Sequence, residues 1–146
     1  DVFTTDISGL ASVRRSSLPN PNDHVILPDV ISKEPLGPAV RQGDAKWADV
    51  VRWSFYATLE AEEMDLSSTN IDQKLTSADP SVQRFIGATG GMGQMLGLDN
   101  KWAYNIIKQV GNYAESYERN VTPLGIERGV NKLWRDGGLM YAPPIR

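Results

Sequence analysis

The 146-residue sequence predicts an α/β chain of uneven make-up: few short strands followed by a mostly helical region. Three observations carry that reading. Short runs of β-branched and aromatic residues fall before Asp44. Beyond Asp44, apolar residues recur at the i, i+3, i+4, i+7 spacing of helices. Capping residues, prolines and glycines then divide the helical part into segments.

Val2 to Thr5 reads as a strand, and Asp6 with Ser8 and Gly9 turns the chain into a short helix over Leu10 to Arg15. The chain opens on this strand with no initiator Met and no leader before it. Processing of a mature protein would give such a start, and truncation of a longer one is the reading preferred here. Ser17 to Asp23 is a loop by its prolines and asparagines, and His24 to Leu27 is a second strand stopped by Pro28. Asp29 to Gly37 is extended, and Pro38 to Arg41 makes a third strand before the Gln42-Gly43-Asp44 turn.

With Asp44 as N-cap, Trp47, Val50, Val51, Ser54, Phe55, Thr58, Leu59 and Glu62 mark the inward stripe of a long helix. Ile71 to Leu75 and Val82 to Ile86 predict short helices, the second opened by Asp79-Pro80. Gly87 to Gly97 holds at most one helical turn, around Gln94 to Leu96. One helix is expected from about Asn100 to Arg119, with Trp102, Ile106, Val110, Tyr113 and Tyr117 along one side. Pro123 opens a last helix with Ile126, Val130, Leu133 and Trp134 inward, ended by Gly137-Gly138; an irregular tail follows.

Composition removes several function classes. The longest apolar runs, such as Val25-Ile26-Leu27, are far short of the roughly 20 residues of a membrane helix. A net charge of −3 with scattered Lys and Arg gives no attraction for nucleic acid. The absence of cysteine excludes disulfides, Cys-ligated zinc, iron–sulfur clusters and thiol nucleophiles. No cofactor is implied.

Asp6 stands at the carboxyl end of a predicted strand and the entrance of a helix, where ligand crevices of open α/β sheets form. Flanked by Thr4, Thr5 and Ser8, its carboxylate has two readings: acceptor for a substrate ammonium, or cap of the helix that follows. Gly87 to Gly93 lacks the G-x-G-x-x-G order and any following Lys-Ser or Lys-Thr, so it reads as an interhelical loop rather than a phosphate site. Glu60, Glu62, Glu63 and Asp65 spread around a helix end and read as solvated charges; Asp6 with one of Glu60 to Glu63 would make a carboxylate enzyme only if the two shared one pocket. His24, the single histidine, supports neither a metal pair nor a triad, and no G-x-S-x-G elbow is present. Trp53 and Tyr56 lie off the predicted stripe and are candidates for a second interface.

Asp1 to Ala11 (DVFTTDISGLA) and Glu34 to Asp44 (EPLGPAVRQGD), with the Trp47-containing helix after them, resemble polar amino-acid-binding proteins of ABC importers. Leu98 to Tyr113 and the ending Gly138 to Arg146 resemble the subgroup that binds L-amino acids generally, so the resemblance spans the chain. It implies the C-terminal part of a two-lobed periplasmic-binding-protein fold. Residues 1–28 would end the second lobe as strand, helix and strand, residues 29–36 would be the return hinge crossover, and residues 37–146 would be the C-terminal part of the first lobe.

The resemblance further implies a non-enzymatic, periplasmic component that captures polar L-amino acids and delivers them to an ABC permease in the inner membrane. It assigns Asp6 to the ligand's α-amino group and Thr5 to the neighbouring contact. The carboxylate-clamping arginine and side-chain-framing aromatics would lie upstream of this chain, so the missing N-terminal part or a second copy of the chain is an expected partner. The alternative is a truncated fragment acting as a helical protein-interaction domain without ligand binding.

Overall fold

A computed structural model describes residues 1–146. The elements in order are α1 (Ile7–Ser16), a 3-10 turn Pro21–Asp23, α2 (Ala45–Glu63), a 3-10 stretch Ile71–Thr76, α3 (Pro80–Phe85), α4 (Met92–Met95), α5 (Trp102–Val110), α6 (Tyr113–Asn120), and 3-10 turns at Thr122–Leu124, Gly129–Asn131 and Trp134–Asp136.

The three segments expected as strands carry no regular secondary structure and are unpaired, and the one β-bridge joins Leu133 to Met140. Val2, Phe3, Val25 and Leu27 are 63–88% exposed. Their composition favours a pleated surface, but a ladder needs a neighbouring strand and none of the 146 residues supplies one. From 27 to 39 every residue is exposed, and the hydrogen bonds there are internal to the segment.

α2 begins as expected, with the Asp44 carboxylate accepting the Trp47 N–H at 3.0 Å. Its buried face differs. Trp47 is 55% exposed and Phe55 36%, whereas Ala57, Leu59, Glu60 and Ala61 are buried. α5 and α6 both pack against α2, so its last turns are covered from two sides; consecutive positions are then buried and no single stripe marks them. The main core joins Ala57 and Ala61 of α2 to Leu66, Ile71, Phe85, Ile86, Trp102, Ala103, Ile107 and, from the tail, Ile145. A smaller cluster of Leu59, Leu133 and Ala142 lies beside it.

Asp79 caps α3 through the Ser81 N–H at 2.8 Å, with Pro80 at the first helical position. The glycine-rich stretch after it is a packing device: a Cβ on Gly87 would lie 2.0 Å from the Asn100 carbonyl oxygen, and one on Gly93 2.2 Å from that of Asp99. The helix expected from Asn100 to Arg119 is two helices. Gly111 (φ 92°, ψ 177°) takes a conformation open only to glycine, and Asn112 starts α6 with a capping box. Asn112 Oδ1 accepts the Glu115 N–H at 2.9 Å, Glu115 Oε2 accepts the Asn112 N–H at 2.8 Å, and Asn112 Nδ2 donates to the Leu66 carbonyl at 2.8 Å.

The last expected helix is absent. Leu133 is inward, but Val130 and Trp134 are 64% and 54% exposed. Backbone groups there bond across the segment instead of along a helix: Leu139 N–H to Val130 O (2.8 Å), Trp134 N–H to Met140 O (2.9 Å) and Met140 N–H to Lys132 O (3.0 Å). No helix is long and apolar enough to cross a membrane.

Candidate functional site

The chemistry-bearing group at the amino end of the chain is built on the start of α1. Asp6 has extended backbone (φ −60°, ψ 156°) and its Oδ1 accepts the Gly9 N–H at 2.8 Å and the Ser8 hydroxyl. It is therefore an N-cap, as one of the two readings expects. The cap occupies Oδ1. Oδ2 receives only the Thr5 hydroxyl, at 3.3 Å, so one oxygen keeps most of its accepting capacity.

Gly9 makes the arrangement possible: a Cβ there would lie 2.9 Å from Thr5 Cγ2 and 3.1 Å from Asp6 Oδ2, displacing both side chains from the helix end. The Ser8 hydroxyl, then the Gly9 N–H, hold the Asp6 carboxyl below its usual range, so it is anionic at neutral pH. Thr5 and Asp6 thus sit side by side around a partly exposed carboxylate, an acceptor set suited to a cation.

Of the acidic residues at the end of α2, Asp65 is solvated as expected, its side chain 92% exposed, but Glu60, Glu62 and Glu63 are not free charges, contrary to expectation. Glu60 is 5% exposed, and both its oxygens accept the Ile145 N–H, at 3.0 and 2.9 Å. Burial pushes the Glu60 carboxyl up, and the Ile145 N–H opposes this. Glu62 pairs bidentately with Arg128 at 2.6 and 3.1 Å. The Arg128 guanidinium also lies over the Tyr113 and Tyr117 rings, 5.3 and 5.8 Å from their centroids. Glu63 accepts the Trp134 indole N–H at 3.2 Å, and Arg135 donates to its carbonyl at 2.8 Å.

These carboxylates hold the C-terminal segments onto α2. Sequence periodicity put Glu62 on an inward stripe but carries no sign of partners 66 to 85 residues away. No three His, Cys, Asp or Glu side chains meet in a metal-holding group, and His24 is exposed. Trp53 and Tyr56 are not a free second interface: they stack edge-to-face at 5.6 Å and pack against the two buried clusters.

Comparison with known proteins places the chain in a class. No protein-family profile matches the chain. The chain nevertheless aligns over its full length with amino-acid-binding proteins of ABC importers at 51–53% identity, and it belongs to that family of periplasmic binding proteins, as a C-terminal portion.

Its relatives include the general L-amino acid-binding periplasmic protein AapJ of Rhizobium johnstonii (53% identical), the putative amino-acid ABC transporter-binding protein YhdW of Escherichia coli (53%) and the glutamate/glutamine/aspartate/asparagine-binding protein BztA of Rhodobacter capsulatus (51%). Each alignment covers all of this chain and 44% of the relative, so the chain spans less than half the length of these proteins. A solved periplasmic binding protein from Brucella ovis with glutathione bound superposes on 97% of this chain with a TM-score of 0.92 at 51% identity; the match covers 46% of that structure. The α/β class expected from sequence is thus that of the periplasmic-binding-protein fold, of which this portion is chiefly helical. The named relatives are transport-binding proteins rather than enzymes.

Proposed function

We propose that this chain is part of the substrate-binding component of an ABC amino-acid importer, which captures polar L-amino acids in the periplasm and hands them to a permease in the inner membrane. The observation that carries the reading is the Asp6 carboxylate, anionic, half occupied by its cap and half open beside Thr5. An α-ammonium group is the cation this acceptor set suits, and a charge-assisted hydrogen bond to Oδ2 gives the contact its strength. Names of relatives that bind L-amino acids support the substrate class.

In this reading residues 1–28 end the second lobe, 29–36 form the crossover and 37–146 complete the first lobe. The exposed, unpaired segment 27–39 supports a division there. The rest of the ligand's contacts come from an N-terminal part of the polypeptide, which also pairs with the extended segments. No catalytic step is assigned.

Calorimetric titration of the full-length protein against a panel of L-amino acids and glutathione tests the proposal. Binding of at least one polar L-amino acid is expected, with a loss of about 100-fold or more for Asp6→Ala, the size for a charge-assisted contact left unpaired on the ligand. A smaller loss is expected for Thr5→Val. Unchanged affinity in Asp6→Ala would remove Asp6 from the site; no binding of any amino acid by the wild type would overturn the substrate class.

A further inference from the structure

Residues 1–26 are tied to the helical body covalently through the exposed segment 27–39, which makes no hydrogen bond to either side. What seats them is a contact between α1 and the 3-10 turn Thr122–Leu124. There the Arg15 guanidinium donates through Nη1 to the Pro123 carbonyl, the one hydrogen bond between residues 1–28 and residues 41–146. Ala11 is 7% exposed, and Ala11, Arg14, Arg15, Pro21, Ile26 and Leu124 line an open, shallow cavity of about 190 Å³. Arg14 Nε donates to the Pro21 carbonyl at 3.0 Å, which fixes the loop after α1 on the same side.

This joint is small and incompletely packed, with charged and apolar side chains side by side, unlike the core of the helical body, and such joints open and close at small cost. The arrangement it holds matches a relative with ligand bound: a TM-score of 0.92 over 97% of the chain leaves no room for 28 of 146 residues to be displaced.

We infer that the contact of Arg15 and Leu124 across this joint is a latch of the ligand-bound arrangement, and that Arg15 and Leu124 are affinity-setting positions remote from the ligand. The inference rests on the reading of Asp6 as an amino-acid contact. The latch acts through α1: Asp6 caps its first turn and Arg15 lies in its last, so seating one end of a rigid helix aims the other. A contact made in one arrangement only shifts the equilibrium toward it, and the ligand's apparent affinity changes by the shift in the competent fraction.

The test uses the full-length protein with cysteines introduced at Ser12 and Glu118, both exposed, for a fluorescent donor–acceptor pair; residues 1–146 contain no native cysteine to compete. Arg15→Ala, Arg15→Lys and Leu124→Asp are compared by label separation and by titration with L-glutamate and L-glutamine. Arg15 is exposed, so Arg15→Ala keeps the fold even if Leu124→Asp does not.

Arg15→Ala is expected to weaken affinity about three- to tenfold, the loss of one hydrogen bond, with Leu124→Asp weaker still and Arg15→Lys restoring part of the loss. Label separation in the ligand-free state lengthens in the same order. Wild-type affinity and separation in Arg15→Ala would overturn the inference, as would weaker affinity with unchanged separation. If wild-type protein binds no amino acid, the proposed function falls, while the ligand-free separations still decide whether the contact seats α1.

Discussion

The helical body and the amino-terminal segment obey different rules within one chain. From α2 onward the chain builds a closed core: Phe85, Leu59, Leu66, Ile71 and Ile107 are at most 1% exposed, and the carboxylates of Glu60 and Glu62 and the Asn112 amide each meet a distant partner. Before Asp44, outside α1 and its seat, apolar residues just as hydrophobic stand in solvent, Val2 at 88%, Val30 at 87% and Ile31 at 83%. The difference is one of completeness. Helices satisfy their backbone locally, so a helical region needs only its own side chains for a core, whereas an extended segment has half its bonding in a neighbour. In the relatives, more than half of the polypeptide lies outside the matched portion.

Truncation of one phenylalanine on each side gives the largest contrast. Phe85→Ala is expected to cost about 3–5 kcal/mol in denaturant unfolding, since it empties a fully buried site, whereas Phe3→Ala, at 63% exposure, should stay within about 0.5 kcal/mol. Equal effects would mean that the amino-terminal segment is packed like the body.

Next in size is the stitching of the C-terminal segments. The side chains of Glu62 and Arg128 are 13% and 19% exposed, so Glu62→Ala strands a largely buried guanidinium and should cost about 3 kcal/mol. A cost near zero, measured by the same unfolding, would mark the pair as a surface contact.

The smallest effect is a difference of sign with pH. Burial pushes the Glu115 carboxyl up, but the Ser68 hydroxyl and the N–H groups of Asn112 and Ser68 outweigh it and hold the carboxyl below its ordinary value of 4.5. Its stabilisation is therefore present above that value and lost as pH falls through the lowered one. Glu60 is raised above 4.5, mainly by burial, so its contribution is fully present below 4.5 and lost as pH rises through the raised value. Unfolding midpoints at about pH 3 and about pH 7 should show the penalty of Glu115→Gln shrinking toward acid and that of Glu60→Gln growing. Parallel trends would contradict the opposed environments of the two carboxylates.

Much of this was readable beforehand where the signal is local. The caps Asp6, Asp44 and Asp79 start their helices because a short carboxylate reaches an N–H two or three residues on, and Thr5 beside Asp6 follows from adjacency alone. The break at Gly111 was also written locally, since Asn112 and Glu115 have capping-box spacing; a continuous apolar stripe through Trp102 and Tyr117 obscured it. The reading of Glu60 to Glu63 failed for another reason: nothing near them in the chain foretells Ile145, Arg128 or Trp134.

The sequence by itself thus determined the helix starts capped by Asp6, Asp44 and Asp79, the mostly helical character beyond Asp44, and, through resemblance, the family. Only the tertiary structure decided which face of α2 is buried, that the residues after Pro123 fold as turns bonded across to one another, and that α1 rests on the Pro123 carbonyl. Caps are settled within a few residues by geometry that every chain shares. Burial, ion pairing and docking depend on which distant segment arrives, and that is settled only when the whole set of segments packs together.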